Sequence, residues 1–294
     1  MAPLLIDDYC PVLPLNGRDA DCAPQFDASR FPDPSGPKPA FFLNHLSILR
    51  RFYENGAGVK IVDGDVIVTI DGISFYARVP DDLRFVDEIF FRSTYNFSLG
   101  RDCCVIDIGM NIGLVAMTFA RKDFVKQVHS FEPFKGTYSR ARANLSLNPE
   151  IAAKISAHNF GLADADEDKT VLIYDESDSG AFSIRGSGSG TPEAISVRNA
   201  AKVLGPIIEA AKADGLSIVA KVDCEGSEFP IFETLEQHGL LAELSAFMVE
   251  WHRGILGKTQ RDLIAPLLTH GFTVFDLTGK TGNGFFYAVR GLPA

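Results

Sequence analysis

The chain has 294 residues, 46% hydrophobic and 22% charged, which suits one large α/β domain with a modest extension. A net charge of -10 without a basic run disfavours nucleic acid, and no apolar stretch is long enough to span a bilayer, so the expected partner is a small molecule or a glycan. The five cysteines, at 10, 22, 103, 104 and 224, show neither a Cys-x-x-Cys pair nor zinc-site spacing, and read as ordinary thiols of a reducing compartment. The start, Met1-Ala2-Pro3-Leu4-Leu5, has no basic region ahead of an apolar run, and a cytoplasmic location is expected.

Residues 1–39 hold eight of the sixteen prolines and show no sustained periodicity. They read as an extended arm able to wrap the globular part or a second subunit, which leaves a homodimer open. Residues 40–99 read as a small α+β cap. Phe42, Leu46, Leu49 and Phe52 recur at helical spacing before Asn55-Gly56, and the runs 59–62, 66–70 and 73–77 are joined by Asp63-Gly64 and Asp71-Gly72, steps that favour tight hairpin turns. Residues 81–97 look like a helical bridge into the next part.

From residue 100 to 294 buried strands alternate with amphipathic helices, the pattern of a mostly parallel sheet covered on both faces. Strands are expected near 104–108, 126–131, 154–160, 217–223, 245–251, 272–277 and 284–290, with helices near 113–122, 135–148, 199–213, 227–238 and 259–270. The connection between the last two strands, Gly279 to Gly284, is too short for a crossover helix, so they should form an antiparallel hairpin. The Ser/Gly-rich stretch 183–191 reads as an exposed loop.

Val105-Ile106-Asp107-Ile108-Gly109-Met110-Asn111-Ile112-Gly113 is a buried strand running into a glycine turn and then a helix. Alone, such a turn is equally a tight connection in any α/β protein. Its support is Glu132, which ends the strand Gln127–Phe131 nineteen residues after Gly113, about where a doubly wound fold places the carboxylate that accepts ribose hydroxyls. The alternative for Glu132 is a solvated carboxylate ahead of Pro133.

These segments, with Ser130-Phe131-Glu132-Pro133 and Lys221-Val222-Asp223-Cys224-Glu225-Gly226-Ser227-Glu228, resemble the FkbM methyltransferase family in the order of three blocks over about residues 100–290. The resemblance implies a Rossmann-like class I methyltransferase fold with S-adenosyl-L-methionine as cofactor and S-adenosyl-L-homocysteine as product. It implies that Asp107, Gly109, Asn111 and Gly113 surround the methionine end and ribose, with Met110 standing where the family has a small residue. Glu132 would hold the ribose hydroxyls, Gly161 and Leu162 in the turn Asn159–Leu162 would lie beside adenine, and Asp223 would line the methyl-donor end. A carboxylate-lined cleft suits a sulfonium and an amino group better than the pyrophosphate of NAD.

The expected reaction is O-methylation of a hydroxyl on a sugar or glycosylated natural product. Candidate catalytic groups are His252, Asp223 and Glu250, with Glu225 beside them; His252 follows the apolar strand that ends at Trp251 and has a suitable unperturbed pKa for a base. Glu228 reads as a first-turn carboxylate complementing a helix dipole. A divalent cation held by Asp223, Glu225, Glu250 and His252 is the less favoured alternative, and no metal is assigned. Other readings are an NAD-dependent oxidoreductase, disfavoured by Asn111 and the terminal hairpin, and a non-catalytic cofactor-binding scaffold.

Overall fold

The computed structural model describes residues 31–33, 35–173, 183–185, 190–279 and 283–291. Most of the proline-rich arm therefore lies outside the described residues. The chain divides into two compact units, Met1–Thr94 and Tyr95–Ala294. Among the described residues no helix is long and apolar enough to cross a membrane.

In the first unit the expected helix over 40–55 is two: α1 (Ala40–Asn44) and α2 (Leu46–Glu54). The break is His45, which leaves helical geometry at φ -122 and ψ 19 while its Nδ1 lies 2.9 Å from the Phe41 carbonyl oxygen. Leu49 and Phe52 are fully buried, as the helical spacing requires. Strands β1 (Gly58–Val62), β2 (Asp65–Ile70) and β3 (Ile73–Ala77) form an antiparallel sheet in that order, with Asp63 and Asp71 at φ 50 and 52 in the turns. Then α3 (Pro80–Val86) starts with proline in its first turn and Asp82 accepting the Val79 amide, and a π-turn over Asp87–Phe91 follows. The helical bridge thus ends earlier than the sequence suggests.

The second unit begins with β4 (Cys103–Ile108), α4 (Leu114–Ala120), β5 (Val125–Phe131), α5 (Lys135–Ser146), α6 (Pro149–Ala152) and β6 (Ile155–His158). After β7 (Gly161–Ala163), β8 (Glu167–Ile173) and β9 (Thr191–Asn199) come α7 (Ala200–Ala213), β10 (Ser217–Val222), α8 (Glu228–Gln237), β11 (Ala246–Trp251), α9 (Gln260–Thr269), β12 (Phe272–Asp276) and β13 (Gly284–Arg290). Seven of the strands form one sheet in the order β12-β13-β11-β10-β4-β5-β6. All neighbours are parallel except β13, which runs antiparallel to both β11 and β12.

The chain builds outward from β4 through β5 to β6, then returns to the other side of β4 with β10. The order of strands reverses between β4 and β10, and a crevice opens at such a switch point beyond the carboxyl ends of the strands.

A second sheet, β7-β9-β8, is not foreseen by the sequence reading. Its strands carry Glu167, Asp168 and Lys169 or Pro192 and Glu193 at their starts, which blurs the period-two pattern. Of the run 154–160, expected as one strand, β6 takes Ile155–His158, and β7 of the other sheet starts beyond it at Gly161. Asn159 turns the chain there by donating to the carbonyl oxygens of Glu132 and Pro133 at 2.9 and 3.3 Å.

The main core lies between the sheet and α7, α8 and α9, with Ile106, Ile108, Phe229, Phe232, Phe247, Phe272 and Phe286 buried in it. Cys103 and Cys104 are fully buried in β4, and burial pushes both thiols up to about 12, which leaves no reactive thiolate. Phe247 packs its ring against Phe232 and Phe272, with centroids 5.4 and 5.5 Å away. Phe247→Ala should cost about 3 to 5 kcal/mol of stability through the cavity it leaves. The urea midpoint would show this, and an unchanged midpoint would mean that the core closes around the loss.

Candidate active site

The turn after β4 is tied down by backbone bonds. Gly109 and Met110 donate to the Phe131 carbonyl oxygen at 3.1 and 2.9 Å, and Asp223 donates to that of Ile108 at 3.0 Å. Gly109 sits at φ 88, and a side-chain carbon there would overlap the Asp223 carbonyl, so both conformation and space demand glycine. Asn111 occupies the left-handed region at φ 48, which asparagine tolerates better than most residues. From α5, Asn144 donates to the Ile112 carbonyl at 2.9 Å and buttresses the turn. Met110 is 1% exposed, with its methyl tucked beneath Gly113.

Beneath the turn lies an ion network built on a buried lysine. Lys221, on β10 beside Asp107 of β4, places its Nζ 2.5 Å from the Gly109 carbonyl oxygen, 3.4 Å from Asp107 and 3.5 Å from Asp223. Tyr95 donates its hydroxyl to the same Asp223 oxygen at 3.0 Å. Burial works against the lysine charge, but Asp223 and Asp107 outweigh it and raise its pKa. Burial also raises that of Asp107, against the pull of Lys221. Asp107 has no exposed surface, so the structure places it under the turn as a partner of Lys221.

Glu132 ends β5 at 5% exposure. Its Oε2 accepts the Asn111 amide at 2.9 Å and its Oε1 accepts the Phe134 amide at 3.1 Å. Burial lifts this carboxyl to about 7 despite those two bonds. Gly161 packs against Pro133 and Ile184, and Leu162 is 2% exposed in the main core.

Across the switch point three groups converge: Asp223, Glu225 and His252 each bring one ligand atom within 4.8 Å of the others. His252 is 7% exposed, with Nδ1 2.5 Å from Glu228 and Nε2 3.0 Å from Glu225. Burial alone would lower its pKa, but the two carboxylates raise it to about 10 and so favour the protonated ring. Burial raises the Glu225 carboxyl, against the pull of His252. Glu250, grouped with these residues in the sequence reading, is not part of this convergence and accepts from Asn283 at 3.4 Å.

Lys221, Tyr95, Asn144 and Glu228 escaped the sequence reading as site residues. The charged Lys221 within an otherwise apolar strand was the one available signal. Ser183–Arg185 also differs from the exposed loop expected there: Ser183 donates to the Glu225 carbonyl at 2.6 Å, Arg185 donates to that of Gly226 at 3.3 Å, and Ile184 is 8% exposed.

The first unit has its own groove of about 750 Å3, lined by Phe31, Lys38, Val59 and Ile61 among others. Among the described residues it gathers no cluster of His, Cys, Asp and Glu.

What separates this sheet from a plain dinucleotide-binding one is β13, inserted antiparallel beside β11, and that arrangement defines the methyltransferase class of α/β fold. Within that class the chain belongs to the FkbM methyltransferase family: residues 107–272, more than half its length, match the Methyltransferase FkbM domain. A stretch of 90 residues, 31% of the chain, is 33% identical to the AMB antimetabolite synthetase AmbE of Pseudomonas aeruginosa and spans 4% of that protein.

Among solved structures, the methyltransferase FkbM from Methylobacillus flagellatus KT is similar over 89% of this chain and 56% of that one, at 15% identity and a TM-score of 0.44. A Streptococcus pneumoniae protein in complex with S-adenosyl-L-methionine is similar over 74% of this chain and 75% of that one, at 15% identity and a TM-score of 0.39.

The raised Glu132 carboxyl has a consequence for stability. The folded chain holds a proton that the unfolded chain, with the ordinary value of 4.5, has already released, so this group's contribution falls as pH rises from 4.5 to about 7. The slope is at most about 1.4 kcal/mol per pH unit. Glu132→Gln should flatten stability against pH over that window, as read from urea midpoints; an unchanged slope would show that Glu132 is ionised throughout.

Proposed function

We propose that the chain is an S-adenosylmethionine-dependent O-methyltransferase acting on a hydroxyl of a sugar or a glycosylated natural product. The observation that carries this reading is the Glu132 carboxylate at the tip of β5. Each of its oxygens accepts one backbone amide and keeps lone-pair capacity for a ribose hydroxyl. It also argues against a dinucleotide. The Asn111 amide, which would face a pyrophosphate in such a site, is already bonded to a carboxylate. The buried Lys221 ammonium is committed to Gly109, Asp107 and Asp223 and is not free to neutralise phosphate.

When bound, the cofactor would supply a methyl group on a sulfonium, and transfer would break S–CH3 as O–CH3 forms. The chain's own contribution is mostly placement, which can supply about 7 to 11 kcal/mol, against about 10² to 10⁴ in rate from a positioned base. The carboxylates beside His252 favour its protonated form, so the acceptor's proton passes first toward Glu225. Its raised carboxyl makes Glu225 a better acceptor than an ordinary carboxylate. Asp223, fixed by Tyr95 and Lys221, lies where β10 meets the turn and offers negative charge to the sulfonium and amino group. The partial likeness to an antimetabolite synthetase supports a natural-product acceptor.

Glu132→Ala should weaken S-adenosylmethionine binding about a hundredfold in calorimetry, from two charge-assisted bonds of about 1.5 kcal/mol each. Unchanged affinity would remove its ribose role. The unaltered protein should release S-adenosylhomocysteine when incubated with glycosides; tight cofactor binding without release under every acceptor would favour the scaffold reading.

A further inference from the structure

We propose that Asp223, Glu225 and His252 bind a divalent first-row transition-metal cation, which holds the acceptor oxygen at the carboxyl ends of β10 and β11. The inference rests on the methyl-transfer reading above and assigns the acceptor side of that same site.

The geometry of His252 points there. Its ring is more than nine-tenths buried and is fixed from behind by Glu228, whose side chain is fully buried 2.5 Å from Nδ1. A carboxylate behind an imidazole is the arrangement that sets tautomer and ring direction in metal sites. The other nitrogen, Nε2, lies 3.0 Å from Glu225 Oε2 but has no aligned hydrogen-bond partner among the described residues. Two atoms at that separation fit neighbouring ligands of one ion, which would take the place of the proton now on Nε2. Cis ligands at about 2.1 Å from an octahedral cation stand about 3.0 Å apart. Asp223 completes the set within 4.8 Å.

The backbone is shaped to the same end. Glu225 and Gly226 have φ 52 and 102, a turn held by Ser183 and Arg185 through the carbonyls of both residues. A non-glycine residue in that region costs of order 1 to 3 kcal/mol and persists only where its surroundings enforce it. Charge agrees as well. Asp107 and Asp223 lie beside Lys221, and Glu225 and Glu228 beside His252, so carboxylates outnumber cations here and a bound dication relieves their repulsion.

One imidazole and two carboxylates suit an ion such as Mn2+ better than Ca2+, which prefers oxygen ligands alone. An acceptor hydroxyl bound to the ion would lose its proton to solvent, because Glu225, as a ligand, would no longer be the base that it is without the ion. The oxygen lone pair would then form O–CH3 while the S–CH3 pair stays on sulfur, giving a neutral thioether.

The test is calorimetric titration of the full chain with Mn2+, with S-adenosylmethionine affinity measured alongside. We expect one Mn2+ per chain, a cation-dependent rise in Tm, and at least a tenfold loss of Mn2+ affinity in Glu225→Gln and His252→Ala with cofactor affinity retained. Treatment with EDTA should abolish S-adenosylhomocysteine release, and Mn2+ should restore it. Failure to bind Mn2+, or release that ignores EDTA while the cofactor still binds, overturns the cation site and leaves the transfer reading intact. Mn2+ binding without any cofactor binding supports the site and sinks the transfer reading. If a variant does not fold, the Tm response of the unaltered chain decides: no rise with Mn2+ counts against the site.

Discussion

One ammonium group, that of Lys221, organises the switch point of this sheet. Removing such a charge from water costs several kcal/mol, and it is retained because Asp107, Asp223 and the Gly109 carbonyl all converge on it. Through those contacts a single side chain on β10 ties the glycine turn after β4 to the carboxylate at its own strand end. The ring of Tyr95 covers the ammonium at 5.5 Å. The turn is therefore held in shape by a network that belongs to the fold.

The two sides of the crevice differ in chemistry because their charges are settled differently. On the β5 side, Glu132 is buried and bonded to two backbone amides, which suits it to neutral hydroxyl donors. On the β10 and β11 side, Asp223 and Glu225 remain partly exposed around His252, with Glu228 locked behind the ring. The proposed methyl transfer, with a ribose at one end and a hydroxyl proton at the other, would use that asymmetry. Membership in the FkbM family accords with it.

The parallel strands and long helices of the second unit were legible in the sequence because each keeps one periodicity from end to end. Cys103–Ile108 and Ala246–Trp251 are continuous apolar runs, and the short Gly279–Gly284 connection foretold the antiparallel β13. That Glu132 closes β5 was legible in the sequence, whereas its burial and its two backbone amide partners were not. The small sheet β7-β9-β8 was not, since charges and Pro192 interrupt its pattern and β7 has three residues.

Nor was Lys221 assigned a role, because its partners Ile108 and Gly109 lie 113 and 112 residues away along the chain. Glu228 looked like a helix-dipole partner, since nothing local to it reveals that His252 sits against its carboxylate. Local patterns announce elements and strand tips; the pairing of charges across the sheet needs the fold.

A crystal structure of the chain with S-adenosylhomocysteine tests the central claim most directly. The account predicts ribose hydroxyls within hydrogen-bond distance of Glu132, the homocysteine end beside Asp223, and a turn from Gly109 to Gly113 unmoved with Lys221 still on the Gly109 carbonyl. A ligand seated elsewhere, or a turn that must break from Lys221 to admit it, would contradict the account.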